Sequence, residues 1–374
     1  MKRIFLIFFI TLVLYPIVSK ADQDESIYEG LSTFTRILDL IERNYVERVD
    51  PDKLTDSAIQ AMLNSLDPYS VYLSPEKYKE LEVGTSGEFG GIGMEITLKN
   101  GVLTVVSPLV DTPAYKAGIE AGDQIVEIEG KKTDNMNEFE AVKILRGPKG
   151  TDVTIKIRKK KDNKIETLKL TRDIIHLKSV NGELYDNNIG YIKLIQFQDR
   201  TSQELQSTMD ELSKKSGTGL NGLILDLRNN PGGLLTQAVE VVDIFLDKGI
   251  IVSVKGRNKD QNLDYYATKS ENTVKYPVVV LVNKGSASAS EVVAEALQDS
   301  KRSTILGTQT FGKGSVQTII RLDDGSGLKI TTAKFYAPSG RSIDSVGVMP
   351  DIIVENQKDK DIQLSRALEL LRSK

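Results

Sequence analysis

Two short, glycine-rich stretches hold the groups in this chain that could do chemistry. Residues 283–291 read Asn-Lys-Gly-Ser-Ala-Ser-Ala-Ser-Glu, and residues 310–317 read Thr-Phe-Gly-Lys-Gly-Ser-Val-Gln. A hydroxyl nucleophile needs a base to take its proton, and that base is usually His. The 374 residues include one His (His176) and no Cys, so a Ser–Lys pair is the economical arrangement. The serines follow an apolar run, Val278–Val282, and precede a helical pattern. That places them at a strand-to-helix junction, where the first amides of a helix have no partner within it. The amide after a nucleophile there, Ala289 for Ser288, could donate to an oxyanion. A helix N-cap made of serine fits the same pattern. Chemistry alone does not choose among Ser286, Ser288 and Ser290. For Lys313 to act as a base, its pKa must fall by about 3 pH units from ~10.4, roughly 4 kcal/mol of differential solvation, which burial among apolar neighbours can supply. Gly312 and Gly314 would let the backbone approach a substrate, and Gln317, an even number of residues on, would share a strand face with Lys313 and orient its amine.

Other motifs qualify the picture. Residues 226–233, Asp-Leu-Arg-Asn-Asn-Pro-Gly-Gly, sit between a buried strand and a helix, so Gly232 or Gly233 could supply a second oxyanion donor. The loop at Gly90, Gly91, Ile92, Gly93 and Met94 could hold a terminal carboxylate in its amides while the following strand pairs with a peptide. Residues 307–313 match the first seven places of a phosphate-binding loop, but Gly314 stands where Ser or Thr must be, and a strand pattern follows where a helix is required. His176 lacks an acidic neighbour at metal or triad spacing and reads as a structural strand residue.

The elements that must position these groups fall into segments. Residues 26–77 carry two apolar stripes at helical spacing, Leu31 to Tyr45 and Leu54 to Leu66, separated by Asp50-Pro51 and ended at Asp67-Pro68. Residues 84–172 form a strand-rich module with two short helices and a charged turn at 159–163. From 186 to 356, strands and helices alternate, which argues an α/β core, and Ile362, Leu364, Leu368 and Leu371 give a closing helix.

A net charge of −3 implies no global attraction to nucleic acid. The missing Cys removes disulfides and thiolate metal sites, and a single His makes an imidazole metal site improbable. Lys2 and Arg3 precede an apolar run over 4–18, and Ser19-Lys20-Ala21 puts small residues at a cleavage site, the layout of a signal peptide over residues 1–21. An uncleaved anchor is the alternative. Either way the body of the protein is expected outside the cytoplasm, in the periplasm or cell envelope.

Taken together, these motifs resemble the C-terminal processing peptidases, or tail-specific proteases. The likeness also includes Ala117-Gly118-Ile119-Glu120-Ala121-Gly122-Asp123, Gly190-Tyr191-Ile192 and Gly347-Val348-Met349-Pro350-Asp351, and it runs through nearly everything after the leader. The resemblance implies that Ser288 is the nucleophile, Lys313 the base and Gln317 its partner. It implies oxyanion donors at Ala289 and at Gly232 or Gly233. It further implies a crotonase-like α/β catalytic core over 173–356, a PDZ domain over 84–172 that takes substrate C-termini at Gly91, Ile92, Gly93 and Met94, an N-terminal helical region over 22–83 and a C-terminal helix over 357–374. No metal or organic cofactor is required. Partners would be polypeptide substrates, with an adaptor protein and a homo-oligomer through the N-terminal helices left open. The rival reading is a catalytically silent PDZ scaffold that binds peptide tails in the cell envelope.

Overall fold

The computed structural model describes residues 21–259 and 262–373; the expected leader lies outside them except for Ala21. Two compact units divide at Tyr72. The first holds two helices, Ala21–Asn44 and Pro51–Asn64. The second helix begins where Asp50 caps it, its carboxylate accepting from the amides of Asp52 and Lys53, with Pro51 at the first position. Leu31, Phe34, Ile37 and Ile41 of the first helix are all exposed.

In the second unit, a six-stranded sheet runs in the order Val180–Tyr185, Ile189–Leu194, Gly222–Asp226, Val278–Val282, Ser303–Gly307 and Ile352–Ile353. The first pair is antiparallel and the rest are parallel. Alternation decides which residue meets which layer. Leu223, Leu225, Val278 and Val280 pack with Leu205, Val241 and Val293 from the helices Thr201–Ser216, Leu235–Asp243 and Ala289–Asp299. Ile224, Val279 and Leu281 pack with Ala367 and Leu371 of the closing helix Ile362–Arg372. Burial on both faces explains why Val278–Val282 is apolar throughout. An α/β core is thus present, as the strand–helix alternation requires.

A second, antiparallel sheet contains the long hairpin of Ser315–Arg321 and Gly327–Tyr336, extended by Ile250–Gly256 and Leu263–Tyr266. The module at 84–172 has five principal strands, in the order Met94–Lys99, Val102–Pro108, Gln124–Ile128, Asp152–Arg158 and Ile165–Thr171, around its own core of Leu103, Ile125, Ala141 and Ile155. Both of its ends pass through one two-stranded ribbon, Glu88–Gly91 paired with Asp173–His176. His176 is accordingly a strand residue, and its imidazole meets Glu88 Oε1 at 2.9 Å. A helix the stripes did not foretell, Pro75–Ser86, precedes the ribbon, capped by Ser74 and ended by Gly87 in the left-handed region at φ 71°.

Candidate active site

The parallel strand Val278–Val282 feeds a turn whose last residue, Ser288, sits at φ 54° and ψ −115° before the helix Ala289–Asp299. A non-glycine residue in that region stores on the order of 1–3 kcal/mol, which the surroundings must hold in place. They do so by sewing the turn to the loop after Asp226. Ala287 N–H and Ser290 Oγ both donate to the Asn230 carbonyl (3.1 and 2.9 Å), and Ser286 Oγ donates to the Leu227 carbonyl at 2.8 Å. Ser286 and Ser290 are therefore fully buried and engaged. Ser288 is partly exposed and lines a cleft of about 290 Å³. The structure separates the three serines that chemistry alone could not.

Lys313, Gln317, Ala289, Gly232 and Gly233 line the same cleft. Lys313 is half-buried. Gln317 follows an irregularity in strand pairing between Val316 and Gln317, and Lys313 precedes the strand, so the even-spacing argument for a shared face does not hold, although both residues reach the cleft. Gln317 Nε2 donates to Ser315 Oγ (2.8 Å) and Thr331 Oγ1 (3.2 Å), so the carbonyl oxygen is what it has left to offer. The glycines beside Lys313 also differ from expectation. A Cβ on Gly314 would lie 2.6 Å from the Asp344 amide, and one on Gly312 within 3.2 Å of the Val346 and Gly347 amides. They admit the chain's own 344–347 segment, not a substrate.

The glycine loop is equally tight. Gly232, at φ 99°, would place a Cβ 2.8 Å from that of Ser288. Its N–H is donated to Asn230 Oδ1 at 2.9 Å. The Gly233 amide has no protein acceptor among the described residues, nor has that of Ala289, the first residue of its helix.

The group that the motif reading did not assign is Glu291, fully buried. Its Oε2 accepts from the Ser288 and Lys313 amides (2.8 and 2.9 Å), and its Oε1 from Gly312 N–H and Thr310 Oγ1 (2.7 and 2.5 Å). One carboxylate thus joins the serine turn to the lysine loop. The spacing Ser288-x-x-Glu291 is that of a capping box, which was readable in the sequence.

Behind the glycine loop, Arg228 joins Asp226 (2.6 Å) to Asp361 (2.7 Å), and Tyr191 Oη donates to Asp226 Oδ2 at 2.7 Å. Burial and the Asp226 charge push the Tyr191 pKa well up. Asp361 caps the closing helix through the Leu364 amide. Burial raises the pKa of Asp361, but Arg228, the Leu364 amide and Asn356 outweigh it, and the carboxyl lies below its usual range. A carboxylate whose pKa folding lowers contributes stability while ionised. That contribution is full above the unfolded value of ~3.9 and is lost as pH falls through the folded one. Asp361→Asn should therefore lower Tm at pH 7, with the gap to wild type closing as the pH drops below ~3.9. A gap that is constant with pH would contradict this account.

In the strand-rich module, Gly91, Ile92, Gly93 and Met94 line a small cleft of about 70 Å³ with Val142 and Leu145 of the helix Glu138–Leu145. The Arg146 guanidinium lies over the Phe89 ring, 4.5 Å from its centroid. Residues 307–313 run from a strand into a loop that leads to another strand, so no helix stands where a phosphate-binding loop needs one.

Comparison with known proteins places this arrangement. Three family models match: peptidase family S41 over residues 188–354, a PDZ domain over 104–159, and the N-terminal domain of the activating protease CtpB over 15–77. The carboxy-terminal-processing protease of Bartonella bacilliformis is 47% identical over 335 residues, covering 89% of this chain and 77% of that one. The chain belongs to the C-terminal processing proteases of family S41. The carboxy-terminal processing protease CtpA of Bacillus subtilis is 39% identical, covering 95% and 78%. Among solved structures, a photosystem II D1 C-terminal processing protease is 33% identical over 86% of this chain and 92% of that one, with a TM-score of 0.48. As a C-terminal processing protease, the chain is a serine-type peptidase with a PDZ domain, acting on polypeptides.

Proposed function

We propose that this C-terminal processing protease cuts with a Ser288–Lys313 dyad and that its PDZ domain selects substrates by their C-termini. The observation that carries the reading is the exposure of Ser288, alone of the three clustered serines, to a cleft it shares with Lys313. Ser288 Oγ attacks the scissile carbonyl while neutral Lys313 Nζ accepts its proton. The amides of Ala289 and Gly233 hold the oxyanion; Gly232 is passed over because its N–H is already donated. Lys313 then returns the proton to the leaving amine, and water, deprotonated by Lys313, releases the acyl group. Gln317 positions Lys313. The PDZ cleft at Gly91, Ile92, Gly93 and Met94 receives the terminal carboxylate. The leader supports an exported location, and the exposed apolar stripe of the first helix supports a homo-oligomer.

Mass spectrometry of an unfolded protein incubated with wild type and with Ser288→Ala tests the reading. Fragments with new C-termini should form with wild type alone, and amidating the substrate's C-terminus should raise KM several-fold. Fragments from both enzymes would remove Ser288 from the chemistry. Fragments from neither would favour the silent scaffold.

A further inference from the structure

Among the described residues that line the cleft, two are charged, Lys313 and Lys329, and none is a carboxylate. Lys329 lies on the hairpin opposite Ile319, and Thr331, two residues on, lies opposite Gln317. Residues two apart on a strand share a face, so Lys329 lies about 7 Å along the strand from the Gln317–Thr331 pair. It is half-buried, and among the described residues no Asp or Glu stands within ion-pairing distance of it. The cleft wall around it mixes apolar side chains (Leu81, Val316, Ile319 and Phe335) with uncharged polar ones (Thr85, Gln196, Ser315 and Gln317). An ammonium in the cleft wall with no carboxylate partner gains a charge-assisted hydrogen bond when a ligand brings a counter-charge.

We propose that Lys329 is a specificity-determining residue that binds a substrate carboxylate near the scissile bond. This deepens the proteolytic reading and rests on it. A peptide lying extended in the cleft advances about 3.3 Å per residue, so a side chain some two to four residues from the cut would reach Lys329. The carboxylate has two sources: an internal Asp or Glu, or the terminal α-carboxylate of a short leaving fragment.

Quenched fluorogenic peptides on one apolar scaffold distinguish them. Glu, Gln and Lys are placed in turn at each of four positions on either side of the cut, and every peptide is made as acid and as amide. At one position the wild-type enzyme should favour Glu over Gln about tenfold in kcat/KM, the usual size of a charge-assisted hydrogen bond. If the terminal carboxylate is the ligand, the acid-over-amide ratio for cuts within about four residues of the end, divided by that for cuts farther away (which carries the preference of the PDZ cleft), takes that value instead. Lys329→Met should bring the ratio to about one, and Lys329→Glu should turn the preference toward Lys. Because a ratio is read, a general loss of activity in a variant does not imitate the effect. The wild-type ratio alone should also fall as salt is raised from 20 to 500 mM, over which the Debye length shortens from about 20 Å to about 4 Å. An active wild type that cleaves Glu and Gln peptides equally and shows the same acid-over-amide ratio for near and far cuts, or a ratio that survives in Lys329→Met, overturns the inference and leaves the dyad standing. A wild type that cleaves none of the peptides, nor the unfolded protein, removes the dyad reading and this one with it.

Discussion

Lys313→Arg should be as inert as Ser288→Ala, with kcat lowered by about 10⁴-fold or more. The reason is protonation, not size. Arginine keeps the length, the positive charge and the donors of the site, yet stays protonated at any pH an assay can use, so it cannot accept the Ser288 proton. The fold should survive, because the contact that holds this loop to Glu291 uses the Lys313 backbone amide, which the substitution leaves in place. Thermal unfolding of the variant should therefore match wild type, and turnover of an unfolded protein should be absent. The wild-type rate should climb as the pH is raised and the amine loses its proton, whereas Lys313→Arg stays flat at background. Turnover by Lys313→Arg within tenfold of wild type would force a search for another base. Among the described residues lining the cleft the next candidate would be Lys329, the remaining charged side chain, and Lys329→Met would test it.

What the sequence made legible follows from periodicity. Val278–Val282 and Leu223–Leu227 announced buried strands because both of their faces are covered. The helix after Ser288 showed itself through small and apolar residues followed by polar ones. The helix Pro75–Ser86 did not, since it has no buried residue and contains Gly84, so no apolar stripe marks it. Its Ser74-Pro75-Glu76 start was the available signal. The omission matters, because Leu81 and Thr85 of that helix line the cleft. Lys329 was invisible for a different reason. Its place opposite Ile319 is a fact of hairpin register, which depends on where the turn at 322–326 closes and on the irregularity at Val316/Gln317. The same irregularity undid the spacing argument for Gln317. Glycine conservatively read as room for a substrate proved to be room for the chain itself at Gly312 and Gly314. That distinction rests on contacts with residues about 30 positions away, which no local pattern encodes.

Glu291→Gln should cost both stability and rate, and the split between them tests what the carboxylate does. Its two oxygens accept four hydrogen bonds in a site with no exposure to water. Glutamine has one oxygen to accept with, and its NH₂ would face two N–H donors or the Thr310 hydroxyl and one N–H. In the first orientation two buried amides lose their partner, at ~1–3 kcal/mol each. In the second, the hydroxyl can turn and accept, so one amide is orphaned and the cost is about half. Tm should drop in either case. The more telling number is kcat. Ser288 is held at a positive φ that a serine does not prefer, whereas the lysine loop turns at Gly312, which takes φ 94° without strain and leaves the loop free to shift. Glu291 is the side chain that bonds both. Released from it, the serine turn can relax and the lysine loop can shift, and a shift of about 1 Å between nucleophile and base is worth on the order of 100-fold in rate. Kcat should fall by about that factor at a temperature well below the variant's Tm, with KM changed less than threefold, because the residues that grip the peptide elsewhere in the cleft are untouched. Glu291→Asp should not restore it, since a carboxylate one methylene shorter cannot reach both loops. A variant with lowered Tm and wild-type kcat would show that Glu291 supports the fold alone and that the two loops keep their register without it.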